Sequence, residues 1–247
     1  YRAGTTSSMQ RLWMIHCRVK HHDPKAVYVK ILVHLRSYPP YRYVGGELTT
    51  KHLLEYAVQH GHDVDVFASD VKKEYTVNGV QIKPISYFKP NRAKPYDVYV
   101  SHPEIAFVLA QKVSRFGTPY VGIVHNTNQR TLNGLSRLQP DYTIANSEDT
   151  LARIPTPKAG KPRAVLYPPV RHFQPTVAGK AILSVNMSPD KGFPVVEHVA
   201  HHLPEFPFTA VVGGYGLQAR VARANITVVP QTPDMAPIYA DARILLH

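Results

Sequence analysis

Two short runs in the second half of the chain have the residue types and spacing of phosphate-handling loops. Ala181 to Val185 is apolar and reads as a buried strand. It empties into a polar turn, Asn186 to Gly192, which brings Lys191 and Gly192 to the start of a helical pattern. A cation beside unpaired backbone N–H groups at a helix start is how a chain receives a phosphate. A second apolar run, Phe208 to Val212, breaks into Gly213, Gly214, Tyr215 and Gly216. Successive loops of this kind suggest the carboxyl ends of parallel strands, where open α/β sheets bind ligands. Lys191 would there neutralise charge developing on a leaving diphosphate, a contribution of the kind that dominates many sites. Read alone, it is more readily a solvated turn lysine before a helix; the rest of the pattern reverses that order.

The first half carries a second set of candidates. Gly45 and Gly46 present no side chain and would let the backbone approach a phosphate or sugar closely. Glu47 beside them could orient an acceptor hydroxyl, or simply be an acidic residue in the first turn of a helix. Pro119 to Val124 is a strand pattern that delivers His125 and Asn126 at its end. With 14 histidines in the chain, most must be core or surface residues. His21-His22 and His201-His202 read as exposed pairs without a third ligand at metal spacing, so no metal site is expected. No Gly-x-Ser-x-Gly elbow occurs, and Cys17 is the single cysteine. Gly213, Gly214 and Gly216 are not followed by the acidic partner of a dinucleotide fingerprint, which argues against a dehydrogenase. An epimerase is disfavoured because no Tyr-x-x-x-Lys pair follows a serine in the required context.

The elements that must position these residues alternate along the chain. Val29 to Leu35 is a strand bounded by Ser37 to Pro40; Gly45 opens a helix that Gly61 stops; His62 to Phe67 is the next strand. This is a βαβ unit, which crosses over right-handed. Tyr75 to Ile85 reads as a hairpin with Asn78-Gly79 at its turn. Strands follow at 96–100, 119–125, 141–146 and 163–167, with a helix over Glu104 to Phe116 and Ser147 as an N-cap. Residues 154–163 and 171–180, rich in Pro, Lys and Gly, read as loops. Strands at 181–185, 208–212, 226–229 and 242–246 then alternate with helices near 193–202 and 236–240. The expected division is a basic, poorly patterned extension at 1–28, an N-terminal Rossmann-like domain at 29–172 and a partial C-terminal one at 173–247.

Composition narrows the partners. The 247 residues are 44% hydrophobic, enough for a core, and no apolar run approaches the roughly 20 residues of a membrane-spanning helix. The single cysteine and the lack of a secretory leader pattern point to a cytoplasmic setting. The net charge of +12 raises the expectation of anionic partners: nucleotide phosphates or peripheral contact with an anionic membrane surface. No basic cluster interleaved with aromatics appears, so specific nucleic-acid binding is not expected. The chain starts at Tyr1 and stops at His247 after an apolar run, so both ends read as fragment boundaries.

In this order, the residues resemble a GT-B glycosyltransferase of the retaining kind, family 4. The resemblance rests on Pro39-Pro40, on Gly45-Gly46-Glu47 and on Gly61-His62 before a strand. It continues through Val124-His125-Asn126, Ala145-Asn146-Ser147, Tyr167-Pro168-Pro169-Val170, and Asn186 through Lys191-Gly192. It implies an α/β GT-B fold of two Rossmann-like domains with parallel sheets, the second incomplete here. The implied activity is a hexosyltransferase-like transfer from a nucleotide sugar to an acceptor hydroxyl, with no cofactor and no metal.

The implied site has His125 and Lys191 as catalytic residues. Gly45, Gly46, Asn186, Lys191, Gly192, Gly213 and Gly214 meet the donor and its phosphates, and Val229, Pro230 and Thr232 meet the base. Glu47 and Asn126 face the acceptor. Two departures stand out. The family often has Arg where Asn186 stands, and its Glu pair spaced seven apart falls beyond His247. The rival expectation is therefore a GT-B-like binding or structural protein that has lost part of the donor site.

Overall fold

The computed structural model describes residues 28–89, 96–156, 160–169 and 179–246. Residues 1–27 of the expected extension at 1–28, the linker residue Val170 and the expected junction at 172–173 lie outside them. So do Cys17, His21, His22 and His247.

The chain forms two compact units. The first contains an eight-stranded sheet ordered β3-β4-β2-β1-β5-β6-β7-β8. Its strands are β1 (Lys30–Leu35), β2 (Asp63–Ala68), β3 (Tyr75–Val77), β4 (Val80–Pro84), β5 (Val98–Ser101), β6 (Tyr120–Val124), β7 (Tyr142–Ala145) and β8 (Arg163–Val165). The run β1-β5-β6-β7-β8 is parallel throughout, and β3 and β4 form an antiparallel hairpin. Its turn uses Asn78 and Gly79, both at positive φ, as the Asn-Gly pair predicts. β1 is buried on both faces, with Ile31, Leu32, Val33 and Leu35 fully inaccessible, which is why it reads as an apolar run interrupted only by His34.

Four helices belong to this half of the chain: α1 (Gly45–Gln59), α2 (Pro103–Ser114), α3 (Gln129–Leu138) and α4 (Glu148–Arg153). Ser147 caps α4 by accepting from the Thr150 backbone N–H at 3.1 Å, as its position before the acidic pair suggests. Asn128 caps α3 in the same way through Thr131. A Cβ on Gly134 would stand 2.2 Å from the Pro103 carbonyl, so this glycine lets α3 close onto the start of α2. The core of the unit gathers Leu32, Phe67, Tyr99, Ala106, Leu109, Val113 and Tyr120.

The second unit holds a four-stranded parallel sheet ordered β11-β10-β9-β12. Its strands are β9 (Ala181–Val185), β10 (Phe208–Val211), β11 (Ile226–Val229) and β12 (Ala242–Leu246), joined by α5 (Phe193–His202) and α6 (Ala236–Asp241). Phe193, Val196 and Ala200 of α5 pack on Ile182, Met187, Phe208 and Ala210. Clustered into this unit are two segments from early in the chain, Arg36–Leu53 and Ala68–Val71. The segment after β1 and the first half of α1 therefore pack as part of the second unit.

Candidate functional site: two sheet edges and a docked glycine loop

In the second unit the carboxyl ends of β9, β10 and β11 lie side by side. Their loops are tied by the backbone bonds Asn186 N–H to Val211 O and Val212 N–H to Val229 O. Asn186 sits at φ 79°, a left-handed conformation that asparagine tolerates better than most residues. Its Oδ1 accepts from the Ser188 N–H at 3.1 Å and so turns the chain toward α5. A Cβ on Gly213 would fall 2.2 Å from that same Oδ1, so the glycine is needed for Asn186 and the glycine loop to meet. Gln218 joins the two loops. Its Oε1 accepts from Met187 N–H at 3.1 Å and Gly213 N–H at 2.7 Å, and its Nε2 donates to Tyr215 O.

Lys191 ends a short 3-10 turn, Pro189–Lys191, and Gly192 at φ 81° opens α5. Lys191 is exposed and forms no ion pair among the described residues. A cation and the first N–H groups of a ten-residue helix thus stand together, as the spacing of Lys191 and Gly192 predicts. Val229, Pro230 and Thr232 follow β11. The Thr232 hydroxyl is used locally with Asp234, accepting from its N–H at 3.2 Å.

The Gly45-Gly46-Glu47 turn begins α1, with Thr49 and Thr50 hydroxyls donating back to the Gly45 and Gly46 carbonyls. Space around Gly45 is open: a Cβ there would meet nothing within 4 Å. The residues just before it dock on the glycine loop. Gln231 Nε2 donates to Tyr43 O at 2.6 Å, and Arg42 Nη1 donates to Gly214 O at 3.0 Å. A Cβ on Gly214 would stand 2.4 Å from Val44 Cγ2 and 3.1 Å from Tyr43 O. The Tyr215 hydroxyl donates to Glu47 Oε1 at 2.8 Å, and that carboxylate is buried. Burial, the Glu47 charge and this bond all hold the phenol protonated far above its ordinary range.

In the first unit a second set lines the carboxyl edge of the sheet. His34 belongs to β1, His102 follows β5 and His125 follows β6, three strands adjacent in the sheet. His102 and His125 meet edge to face, with ring centroids 4.7 Å apart. Burial pushes His34 and His102 down to about 4, and His34 adds to the shift on His102. Burial pushes His125 down to about 3, with His102 lowering it further and Glu104 opposing. These are neutral imidazoles at physiological pH. The buried His125 Nε2 has no hydrogen-bond partner among the described residues. Asn146, at the end of β7, donates from Nδ2 to the His125 carbonyl at 3.1 Å and fixes the strand end.

Asn126 has a structural engagement that its sequence does not announce. Its Oδ1 accepts from the Thr131 hydroxyl at 2.7 Å and the Asn128 N–H at 3.2 Å, which sets the turn into α3.

Of the residues singled out from sequence, Asn186 and Gly213 touch. Gly214 meets the segment leading into Gly45, and Glu47 meets the glycine loop through Tyr215. Lys191, Gly192, Val229, Pro230 and Thr232 belong to the same unit, whereas His125 and Asn126 belong to the other. Tyr215, Gln218, Gln231, Arg36, Arg42, His34 and His102 were not anticipated. The one legible signal was the repetition of a histidine at the end of an apolar run: Val33-His34, Ser101-His102 and Val124-His125.

Among the described residues no group of three or more His, Cys, Asp or Glu side chains is placed to hold a metal ion. No described helix is long and apolar enough to cross a membrane.

No protein-family model and no curated protein matches the sequence. Solved structures do. UGT89C1 of Arabidopsis thaliana, complexed with UDP, is similar at a TM-score of 0.56 and 9% identity, over 88% of this chain and 74% of that one. UGT2 of Phytolacca americana, complexed with UDP-2fluoro-glucose and pterostilbene, is similar at 0.52 and 9%, over 89% and 75%. A UDP-glucosyltransferase of Polygonum tinctorium that glucosylates indoxyl is similar at 0.51 and 11%, over 90% and 75%. The chain has the GT-B fold of these glycosyltransferases, with Rossmann-like parallel sheets.

Proposed function

We propose that this chain transfers a sugar from a nucleotide-sugar donor to an acceptor hydroxyl, with retention of configuration, as a family 4 glycosyltransferase acting in the cytoplasm without a metal. The observation that carries the reading is the joined pair of loops at the ends of β9 and β10. There Asn186 and Gly213 meet, and Lys191 and Gly192 open α5 a few residues on. On a GT-B fold, such strand ends beside a helix N-terminus suit a diphosphate. Lys191 neutralises the leaving nucleoside diphosphate, and the loops after β11 take the base. His125, held neutral, offers its ring nitrogen to a sugar hydroxyl as a hydrogen-bonding rather than a charged group. Glu47 orients the acceptor. The three similar glycosyltransferases include one complexed with UDP and one with a UDP-sugar, which supports a donor of that class. The charge of +12 supports peripheral contact with an anionic membrane surface.

The test is calorimetric titration of the full chain with UDP, GDP and ADP and with the matching nucleosides, followed by Lys191→Ala. A hydrogen bond to a charged group contributes about 1.5–3 kcal/mol, so the variant should lose about tenfold to a hundredfold in diphosphate affinity and little for the nucleoside. Equal losses would make Lys191 a support of the fold. Binding without turnover of any nucleotide sugar would favour the non-catalytic alternative. The anomeric configuration of a product, read by NMR, decides retention.

A further inference from the structure

The second unit contains a cationic pair that the reading above does not use. Arg36 and Arg42 both lie against the ring of Tyr215, their Cζ atoms 4.6 and 5.0 Å from its centroid. Both Nε atoms face one oxygen, Oδ2 of Asp70, at 3.6 and 3.7 Å. That is close enough for attraction but too long for a hydrogen bond, and this oxygen accepts none among the described residues. Arg42 spends one N–H on the Gly214 carbonyl, while Arg36 makes no side-chain hydrogen bond among the described residues. The side chains are 55% and 42% exposed. Two guanidiniums are thus oriented by an aromatic ring and a shared carboxylate, with most of their donors unspent, at the tip of the glycine loop. Fixed, planar forks with unused donors are suited to phosphoryl oxygens, which they bind bidentately.

The charge count at the loops points the same way. Asn186 is neutral, so Lys191 is the one cation within the turn from Asn186 to Gly192. A nucleoside diphosphate brings at least two negative charges. We propose that Arg36 and Arg42 form a clamp for the diphosphate of the donor, supplying from the segment after β1 the positive charge that the β9 turn lacks. The inference rests on the proposed donor site and names residues for it. Tyr215 acts as a positioning residue, since it touches both guanidiniums and reaches Glu47.

The experiment measures binding of inorganic pyrophosphate, of UDP, GDP and ADP, and of the nucleosides to the wild-type chain and to Arg36→Gln/Arg42→Gln. The double variant should lose about tenfold to a hundredfold for pyrophosphate and for whichever diphosphate binds, and nothing for the nucleoside. Unchanged diphosphate binding in a folded variant overturns the clamp and leaves the transferase reading standing. Arginine-dependent pyrophosphate binding without any nucleoside diphosphate binding supports the clamp and overturns that reading. If the variant does not fold, the wild-type chain answers instead. Pyrophosphate should slow phenylglyoxal modification of Arg36 and Arg42, mapped by mass spectrometry, but not that of the exposed Arg137. Equal modification rates with and without pyrophosphate overturn the clamp.

Discussion

The phenol of Tyr215 donates a 2.8 Å hydrogen bond to the carboxylate of Glu47, 168 residues earlier in the chain. This bond ties the tip of the glycine loop to the first turn of α1. Phe at 215 keeps the ring for the two guanidiniums and removes only the hydroxyl, leaving Glu47 with one donor fewer. A bond to this buried charged acceptor contributes about 1.5–3 kcal/mol. We expect Tyr215→Phe to lower unfolding free energy by about that amount in urea titration. Tyr215→Ala should cost more, because the stacking surface goes too. Identical midpoints for Phe and wild type would mean that the bond is not maintained in solution.

Three histidines at the carboxyl edge of the first sheet should lower stability in acid. His34 and His102 are held down to about 4 and His125 to about 3, all below the ordinary 6.5. The folded state therefore binds these protons less readily than the unfolded chain. Their contribution is fully present above pH 6.5 and is lost as pH falls from there through about 4 to 3. Each histidine contributes a slope of up to about 1.4 kcal/mol per pH unit within that window. Glu104 only partly counters the effect at His125, which keeps the lowest value and therefore the widest pH window of the three. Urea midpoints measured from pH 8 to pH 4 should fall steeply below 6.5, and His102→Gln should flatten the curve. A curve flat down to pH 5 would show that these imidazoles titrate normally.

Glycines that look alike in sequence differ in what surrounds them. A methyl at Gly214 would collide with Val44 Cγ2 at 2.4 Å and crowd the Tyr43 carbonyl. Forcing such a group into a packed contact costs about 1–3 kcal/mol. A methyl at Gly45 meets no protein atom within 4 Å, and alanine is the better helix former. We expect Gly214→Ala to destabilise and Gly45→Ala to leave the melting temperature unchanged or slightly raised. If Gly45 is where a ligand approaches the backbone, its alanine variant should weaken nucleotide-sugar binding without any loss of stability. Loss of both at Gly45 would assign it a packing role.

Much of this architecture was legible because parallel strands buried on both faces are written as short, mostly apolar runs. Ile31 to Leu35 and Ala181 to Val185 are of this kind, each with one buried polar residue, His34 and Ser184, and Ser147 and Asn78-Gly79 carry their cap and turn chemistry locally. α3 was missed for a physical reason. Gln129 to Leu138 buries only Thr131 and Leu135 and carries Gly134 in its interior, so it shows neither a wide apolar stripe nor good propensity. The loops at Lys191 and Gly213 could be read from composition. The partners that hold them could not, because Gln231, Arg42 and Tyr215 meet their targets, and Gln218 meets Met187, across long sequence separations. The same holds for His34, His102 and His125, which become neighbours only through the pairing of β1, β5 and β6.

Asn186 gives the sharpest contrast between the two ways of reading a residue. By resemblance, this position suits an arginine, and Asn186→Arg would be expected to add charge beside the diphosphate. The backbone argues otherwise. At φ 79° a side chain other than glycine or asparagine costs about 1–2 kcal/mol, and the Oδ1 bond to Ser188 N–H would be lost as well. The Cα of Gly213 lies so near the carboxamide that a longer side chain must leave its present place. We therefore expect Asn186→Arg to destabilise by about 1–2 kcal/mol in chemical denaturation. Asn186→Gly, which keeps the left-handed turn and loses only the Ser188 contact, should cost less than Asn186→Ala. The order Gly, Ala, Arg in increasing loss would establish that conformation holds asparagine here. Full stability of the arginine variant, together with tighter binding of a nucleoside diphosphate, would show that the turn can adopt a right-handed alternative and that charge governs the position.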